Sequence, residues 1–312
     1  MMNKYEIEIL ILLKNAFDEI AGVHTFQCDN ENQRHAYYLT ELDDNLYKPM
    51  SWETRNEYER GNGKELNNKM RALRSSAALT YNLFWNRIAK FKDQKERNNQ
   101  IKEFRRIGEG VYVVEFEKKY RTLKTTEANL DAFLYSRETH EAVACEIKML
   151  EWILNSNKSK ELSKSYLCKE KYIDENAGEI FSDIASKFIK NAEKKITENF
   201  DAFQMFKHTS ACYAACFDKN SPKINKLTLV NCVWTLSTPK KLGEKNREEY
   251  LENEKQMLAE FKFFKQIIEP VKALFNKKGV DFDIVLYTLN DFIALLEKDE
   301  NELKYLKRYT QL

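Results

Sequence analysis

Two acidic residues and one lysine on neighbouring predicted strands carry the clearest chemistry in this sequence. Asp131 lies in a stretch of alternating residues, and Glu146 and Lys148 lie two positions apart in the next such stretch. Carboxylate oxygens are the ligands that Mg²⁺ prefers, and a lysine beside them can orient water or stabilise developing negative charge. The pattern therefore predicts a divalent cation held beside a lysine, which suits reactions at phosphate groups.

These residues belong to a predicted β-hairpin. Residues 129–135 and 142–149 both alternate with the period of a strand, and the polar loop 136–141 joins them. A hairpin symmetric about that loop puts Asp131 opposite Glu146. Two carboxylates in such a pair lie about 5 Å apart and repel each other, and a bound cation would remove that cost. Replacing Glu146 by glutamine is therefore expected to leave the metal-free protein equally stable or more stable.

Asp131, followed on the next strand by Glu146, Ile147 and Lys148, resembles the motif of the PD-(D/E)XK nuclease superfamily, although the first half lacks the usual proline. The resemblance implies that Asp131 and Glu146 bind Mg²⁺ (or Mn²⁺), with the backbone carbonyl of Ile147 as a further ligand. It also implies that Lys148 positions or activates the attacking water. An ordinary cross-strand charge cluster on a surface hairpin is the alternative interpretation of the same residues.

Flanking segments extend the resemblance over residues 64–290. The small residues of segment 75–84 are similar to a helix that precedes the catalytic strands in one branch of the superfamily. The same branch has a Phe-Glu pair on the strand before the hairpin, which Phe116 and Glu117 resemble, so the resemblance implies that Glu117 is a third acidic group of the site; an exposed strand end is the alternative. Glu65 and Glu151 are two more acids that could complete the site, and the sequence does not choose among the three.

A predicted helix over 201–217 carries Gln204 and His208 four residues apart, so that both side chains share one face. In the family, polar groups on the corresponding helix reach the active site or the scissile phosphate. The resemblance therefore implies a catalytic role for Gln204 and contacts to nucleic acid from Lys207 and His208.

Basic residues cluster over 87–106 and again over 118–124. A phosphodiester backbone is bound mainly by lysine and arginine, so Arg105, Arg106, Lys118 and Lys119 are predicted to contact nucleic acid. The alternative is a charged face that is merely solvated.

The composition indicates a globular protein. The chain has 312 residues, of which 43% are hydrophobic and 32% charged, and its net charge is +2. It contains no apolar run of membrane-spanning length and no signal-peptide pattern at its start. Six cysteines at irregular positions favour reduced thiols and a cytoplasmic location. The spacing of His208, Cys212 and Cys216 would also suit a metal site on the helix, but three ligands along one helix require a strongly curved arrangement, and a buried core helix accounts for the two cysteines.

The predicted elements indicate an α/β/α sandwich around a mixed sheet of about five strands, which is the restriction-endonuclease-like fold. Residues 1–62 are predicted to form a helical addition packed on the core. Residues 63–312 are predicted to form a nuclease-like domain with a lysine-rich insertion at about 153–200. The predicted strands span 111–123, 129–135, 142–149, 226–236 and 280–289, and the predicted helices span 1–23, 64–91, 177–196, 201–217, 243–269, 271–278 and 290–309.

These features together predict a Mg²⁺-dependent nuclease with nucleic acid, DNA in the first place, as its partner. No membrane partner is expected, and a homodimer is left open. A nuclease-like module that binds nucleic acid or protein without catalysis is the alternative, since a fold does not establish an activity. A helical scaffold protein that binds no nucleic acid is the third class.

Overall fold

One mixed sheet of six strands forms the centre of the protein, in a computed structural model that describes residues 4–27, 37–61, 65–93, 95, 97, 105–154, 162–192 and 198–312. The strands are β1 (Ile88–Phe91), β2 (Gly110–Leu123), β3 (Thr126–Tyr135), β4 (Glu141–Lys148), β5 (Lys226–Val233) and β6 (Asp281–Thr288). Their order in the sheet follows the chain. The pairs from β1 to β4 are antiparallel, and β4, β5 and β6 are parallel. The fold is thus mixed α/β.

Ten α-helices lie in the described part of the chain. They are α1 (Lys4–Ala21), α2 (Trp52–Arg60), α3 (Ser76–Phe84), α4 (Glu151–Leu154), α5 (Glu175–Ala192), α6 (Ala202–Phe217), α7 (Glu244–Ile267), α8 (Glu269–Lys277), α9 (Leu289–Leu295) and α10 (Glu300–Thr310). No helix in these described ranges combines the length and the apolar character that crossing a bilayer requires.

Helices pack on both faces of the sheet. On one face, Phe116 of β2 stacks against Tyr58 of α2. On the other face, Tyr213 of α6 contacts Phe275 of α8, which stacks on Phe282 of β6 at 4.1 Å. Because both faces are covered, the interior residues of β4 and β5 are all buried.

The predicted hairpin is confirmed. β3 and β4 pair from Tyr135 opposite Ala142 to Ala132 opposite Cys145, which is the predicted register. The ladder ends there, so Asp131 is the first residue of β3 beyond the paired segment. The side chain of Asp131 is thereby available for a contact other than a cross-strand pair.

The predicted helix over 64–91 is wrong. The segment contains 3₁₀ turns at Glu65–Asn67 and Lys69–Arg71, then the shorter helix α3, and then strand β1. The Ser75 side chain accepts a hydrogen bond from Ala78 N–H and caps the start of α3. After α3 the backbone of Arg87 is left-handed (φ 60°), and this conformation ends the helix.

The single helix predicted over 290–309 is divided into α9 and α10. Between them, Leu296 forms a β-bridge with Phe91 at the edge of β1. Asp299 then starts α10 with a capping box, in which Asp299 and Glu302 each accept a hydrogen bond from the other's backbone N–H. The segment between α9 and α10 therefore covers part of the edge of the sheet at β1.

The N-terminal region packs on the end of the chain. The Arg308 guanidinium of α10 is buried over the Phe17 ring of α1, with 5.0 Å between the charged carbon and the ring centre. It also donates to the backbone and side-chain oxygens of Asn45. These contacts agree with an N-terminal addition that packs on the core, and the domain division stays a prediction. Residues 62, 94, 96, 98–104, 155–161 and 193–197, on which parts of the predicted boundary, basic stretch and insertion fall, lie outside the described residues.

Candidate active site

Asp131, Glu146 and Lys148 come together where β3 and β4 separate. The Asp131 carboxylate enters the gap left by the ladder, and its Oδ2 accepts a hydrogen bond of 2.7 Å from Ile147 N–H. Lys148 Nζ lies 2.6 Å from Glu146 Oε1. The side chains of this ion pair are 18% and 3% exposed, so solvent screens the pair only weakly.

Helix α6 adds Gln204 and His208 to this cluster. Asp201 caps the helix by accepting a hydrogen bond from Gln204 N–H, which sets the first turn beside the ion pair. The Gln204 amide donates to Glu146 Oε1 at 2.7 Å and accepts from Lys148 Nζ at 2.8 Å. His208 Nε2 lies 2.8 Å from the other carboxylate oxygen of Glu146. The predicted shared face of Gln204 and His208 is thus confirmed.

Glu117 lies on the neighbouring strand. The strand pairs before and after it, between β2 and β3, place Glu117 opposite Asp131. The backbone of Glu117 is left-handed (φ 48°). Its carboxylate accepts a hydrogen bond of 3.1 Å from the Asn129 amide. Gly61 approaches so closely that a Cβ atom there would lie 2.8 Å from Glu117 Oε2. A side chain at position 61 would therefore push Glu117 out of its place.

Burial and neighbouring charges drive the pKa values of the two central acids apart. Burial raises the pKa of Asp131 well above its ordinary value, and the charge of Glu146 raises it further. Burial also acts on Glu146, but Lys148 and His208 outweigh it and lower the pKa of Glu146 to about 2. Glu146 therefore stays ionised, and Asp131 holds a proton or requires a cation nearby.

Lys148 keeps its charge despite its burial. Burial alone would lower the pKa of Lys148, but the carboxylates of Glu146, Glu151 and Asp131 raise it above its ordinary value. A charged lysine is therefore fixed beside the two acids, and it is suited to stabilising an anion rather than to acting as a base.

The pKa of Glu117 lies near neutral pH. Burial is the main cause that raises its pKa to about 7, while the hydrogen bond from Asn129 acts in the opposite direction. The charges of Glu65 and Glu146 also raise it, which places Glu65 within electrostatic reach of Glu117. Glu65 itself is paired with Lys69 at 3.1 Å.

We expect Glu117→Gln to flatten the pH dependence of stability of the metal-free protein. The folded-state pKa of about 7 lies above the ordinary 4.5, so the folded protein binds this proton more tightly than the unfolded chain. The contribution of Glu117 is fully favourable below about pH 4.5 and is lost as the pH rises to about 7. Denaturant unfolding in EDTA at pH 5 and pH 8 should show a larger fall for wild type than for Glu117→Gln. Glu115→Gln, which removes a half-buried acid of the same strand that pairs with Lys118, is the control, and equal falls in all three proteins would contradict the expectation.

The oxygen atoms of the cluster fit a hard divalent cation. Glu146 Oε2 and Asn129 Oδ1 are buried without a hydrogen-bond partner among the described residues, and the contact of Glu146 Oε2 with His208 lacks hydrogen-bond geometry. A cation that takes such oxygens as ligands would compensate their loss of water. Within the described ranges, no group of three or more His, Cys, Asp and Glu side chains has metal-binding geometry. A Mg²⁺ site here would therefore combine two carboxylates with neutral oxygens, and the alternative site of His208, Cys212 and Cys216 gains no support.

The residues predicted to contact nucleic acid lie in two separate regions of the structure. Lys119 lies opposite Asn129 on β2, and Lys207 is a half-buried neighbour of His208, so both are near the cluster. Lys118 pairs with Glu115 at 2.8 Å. His208 is 2% exposed and lies behind Glu146, not on the surface.

Arg105 and Arg106 lie away from the cluster. Arg106 pairs with Asp281 at 2.5 Å and donates to Leu227 O, at the amino ends of β6 and β5. The candidate site lies at the carboxyl end of β4, which is the opposite end of these parallel strands. The structure therefore does not bring Arg106 to the site, and its ion pair gives it a structural role.

Charge reversal at the two lysines near the site should weaken nucleic-acid binding in a salt-dependent way. The double variant Lys119→Glu/Lys207→Glu removes two cations, so we expect the slope of log K against log salt to fall by about 1 for each phosphate that is no longer neutralised. Fluorescence anisotropy with a labelled oligonucleotide in EDTA at several salt concentrations measures this slope. The double variant Arg105→Gln/Arg106→Gln is the comparison. If that variant alone changes the slope, the binding surface lies at the other end of the sheet.

Comparison of the chain with protein-family models, with curated proteins and with solved structures finds no match. The assignment of a function therefore rests on the cluster itself. That cluster is a half-buried lysine beside two carboxylates, fixed by a glutamine of the following helix.

Two asparagines beside the acids were not singled out as functional by the sequence reasoning. Asn129 orients Glu117, and Asn231 is the residue of β5 that lies directly beside Glu146 in the parallel ladder. The sequence does contain an indication for Asn231, because it is a polar residue in the middle of an otherwise apolar predicted strand. A side-chain amide in a buried strand normally has a hydrogen-bond partner, so such a residue indicates either a specific contact or a functional role.

Proposed function

We propose that this protein is a Mg²⁺-dependent nuclease that hydrolyses phosphodiester bonds, with DNA as the first substrate to test. The observation that supports this most is the cluster of Asp131, Glu146 and Lys148, in which Glu146 is buried and the other two residues are half-buried. Two neighbouring carboxylates that are largely removed from water, with their pKa values driven apart, are costly to maintain unless they have a use. Mg²⁺ (or Mn²⁺) binding together with phosphate recognition is such a use.

In this proposal Asp131, Glu146 and the backbone carbonyl of Ile147 would hold the cation. When bound, it would supply Lewis-acid stabilisation of developing negative charge and would make water a better nucleophile. Lys148 holds an attacking water or the developing negative charge at its Nζ, and Gln204 keeps that ammonium in place through its 2.8 Å contact. Glu117, with its pKa of about 7, is suited to accept a proton near neutral pH.

The order of the elements also supports the proposal. Helix α3, the meander β2–β4, helix α6 and strand β5 follow one another in the order on which the resemblance was based. Helices on both faces of the sheet agree with an α/β/α sandwich. We therefore propose the restriction-endonuclease-like fold as the finer description of this mixed α/β protein.

One observation favours a second function, that of a nuclease-like module that binds nucleic acid or protein without cleaving. Glu146 Oε1 already accepts from Gln204 and lies 2.6 Å from Lys148, so the cluster holds its own internal partners. A site that compensates its charges internally can persist without a metal. Wild-type protein that binds nucleic acid with the same affinity in EDTA and in Mg²⁺, and cleaves none, would favour this function.

The decisive experiment combines cleavage and metal binding. Supercoiled plasmid, single-stranded DNA and RNA are incubated with the protein in Mg²⁺, in Mn²⁺ and in EDTA, and isothermal titration calorimetry measures metal binding to the protein alone. We expect cleavage of at least one substrate in the presence of metal and none in EDTA. Absence of both cleavage and metal binding would refute the nuclease. Gel filtration of the same samples tests the homodimer.

A further inference from the structure

Glu260 is a buried carboxylate of helix α7 that lies outside the candidate site. The residue is 5% exposed and belongs to the second half of the helix. Its Oε1 accepts hydrogen bonds from Glu198 N–H at 2.7 Å and from the Gln256 amide at 3.0 Å. Its Oε2 accepts from Asn199 N–H at 2.8 Å and from Phe200 N–H at 2.6 Å. Three consecutive backbone N–H groups therefore converge on one side chain.

The segment that this carboxylate binds makes further contacts with α7. The Asn199 side-chain amide donates to the backbone oxygen of Asn253 at 3.0 Å, and Asn199 is 2% exposed. Phe200 packs on the ring of Phe264, with 5.2 Å between the ring centres. Buried polar groups whose hydrogen bonds are satisfied specify a single arrangement. Segment 198–200 therefore has a defined position on α7.

This segment leads directly into helix α6. The next residue, Asp201, caps the helix by accepting from Gln204 N–H at 2.9 Å. The Gln204 amide then contacts both members of the ion pair, Glu146 Oε1 at 2.7 Å and Lys148 Nζ at 2.8 Å. Three residues separate Gln204 from the last N–H group that Glu260 binds. A shift of the segment would therefore move this amide as well.

We propose that Glu260 is a positioning residue for the candidate active site and that it acts through the Gln204 amide. The proposal rests on the proposed nuclease function, because it assigns the residue that sets where Gln204 holds the Lys148 ammonium. A carboxylate suits this role since both of its oxygens accept hydrogen bonds, whereas a glutamine would turn an NH₂ group toward some of the backbone N–H groups. Two donors that face each other lose their hydrogen bond, so the segment has to move.

Glu260→Gln tests the proposal through the kinetics of cleavage in Mg²⁺. Misplacement of a catalytic group by about 1 Å can cost about 10²-fold in rate, so we expect kcat to fall about 10- to 100-fold. KM should change less than about 2-fold, because Glu260 touches neither metal nor substrate in this proposal. Gln204→Ala should lower kcat by a similar factor, and the double variant should lose no more than Gln204→Ala alone. Glu248→Gln, which changes an exposed acid of the same helix, should cleave at the wild-type rate.

NMR reports on the Gln204 amide without any cleavage. In ¹⁵N-labelled protein in EDTA, Gln204→Ala identifies the side-chain amide signals of Gln204 by their loss. These signals should keep their chemical shifts in Glu248→Gln. In Glu260→Gln they should move toward the shifts of exposed glutamines, because the contact with Glu146 is weakened.

A second variant covers the case in which Glu260→Gln does not fold, as thermal melts would show. Glu260→Asp keeps a carboxylate but shortens the side chain by one methylene group. It should give kcat and Gln204 shifts between those of wild type and those of Glu260→Gln, or between those of wild type and Gln204→Ala if only the shorter variant is folded.

The possible failures are distinguishable. Cleavage by wild type, with unchanged kcat in a folded Glu260 variant, would overturn the positioning role and leave the nuclease in place. Losses that multiply in the double variant would also overturn it, because a general effect on the fold does not act through Gln204. Displaced Gln204 signals in Glu260→Gln, without any cleavage by wild type, would uphold the positioning of Gln204 and refute the catalytic function.

Discussion

Glu146→Gln should abolish both cleavage and high-affinity Mg²⁺ binding. The substitution keeps the shape of the side chain but replaces an ionised oxygen donor with a neutral amide. Loss of a group that only supports a metal ligand already costs about 10- to 100-fold in metal affinity, so loss of a direct ligand should cost more than about 100-fold. Calorimetric titration of Mg²⁺ and a plasmid-nicking assay on the same preparation measure the two effects.

The same variant should also be less stable without metal, which corrects the expectation drawn from the sequence. Repulsion between Asp131 and Glu146 predicted equal or greater stability, but Lys148 and His208 stabilise the charged form of Glu146 and lower its pKa to about 2. Removing the carboxylate leaves the half-buried Lys148 ammonium without its ion-pair partner, with the hydrogen bond to Gln204 and the more distant charges of Glu151 and Asp131 remaining. Breaking a buried pair costs up to about 3–5 kcal/mol, and ionisation of Asp131 should offset part of it.

The effect on stability should depend on pH in a defined direction. Because the folded-state pKa of Glu146 lies below its ordinary 4.5, its contribution is present above about pH 4.5 and is lost as the pH falls toward 2. The free energy of unfolding of Glu146→Gln should therefore differ most from that of wild type near neutral pH and approach it in acid.

Glu141→Gln is the matched control, since Glu141 is an acid at the other end of the same strand, paired with Lys226 at 3.3 Å. Equal loss of cleavage in both variants would indicate a general effect on the fold.

Lys148→Ala should lose cleavage while it keeps metal binding. The carboxylates of Asp131 and Glu146 remain, so the metal ligands are present, but the cation that orients water or stabilises the developing charge is gone. Removal of one preorganised group of this kind typically lowers the rate about 10²- to 10³-fold. Single-turnover cleavage, compared with calorimetric Mg²⁺ titration, separates the two properties.

Lys226→Ala is the control for Lys148→Ala, because Lys226 pairs with Glu141 as Lys148 pairs with Glu146, but at the far end of the strands. We expect it to cleave at the wild-type rate if it is folded. If Lys148→Ala also cleaves normally, the lysine of the motif has only a structural role. If it loses metal binding as well, Lys148 positions Glu146 rather than the reacting water.

The hairpin and the site could be predicted because their signals are local. Strict alternation over 129–135 and 142–149, with one polar loop between them, fixes which residues lie opposite each other. The four-residue spacing of Gln204 and His208 fixes their common face in the same way. The local pattern did not indicate that the pairing of β3 with β4 ends before Asp131. Asp131 therefore accepts a hydrogen bond from Ile147 N–H instead of facing Glu146 across a regular ladder.

The errors arose where tertiary contacts override a local pattern. Helical spacing over 64–91 predicted one long helix, but Ala72 forms a β-bridge with Tyr38 and Phe91 forms one with Leu296. Both partners are distant in sequence, so nothing local indicates them. The location of Arg106 could not be predicted for the same reason, because its partner Asp281 belongs to the last strand.

The order of the strands in the sheet has a consequence for how the protein folds. β2, β3 and β4 are joined by short turns, so their pairing closes small loops and should form early. Pairing of β4 with β5 must wait for the chain between Lys148 and Lys226. The two carboxylates are therefore assembled on a local meander before Gln204 and His208 arrive from α6. Until then solvent screens their charges, so we expect refolding rates to change little when Glu146 is replaced and unfolding rates to change more.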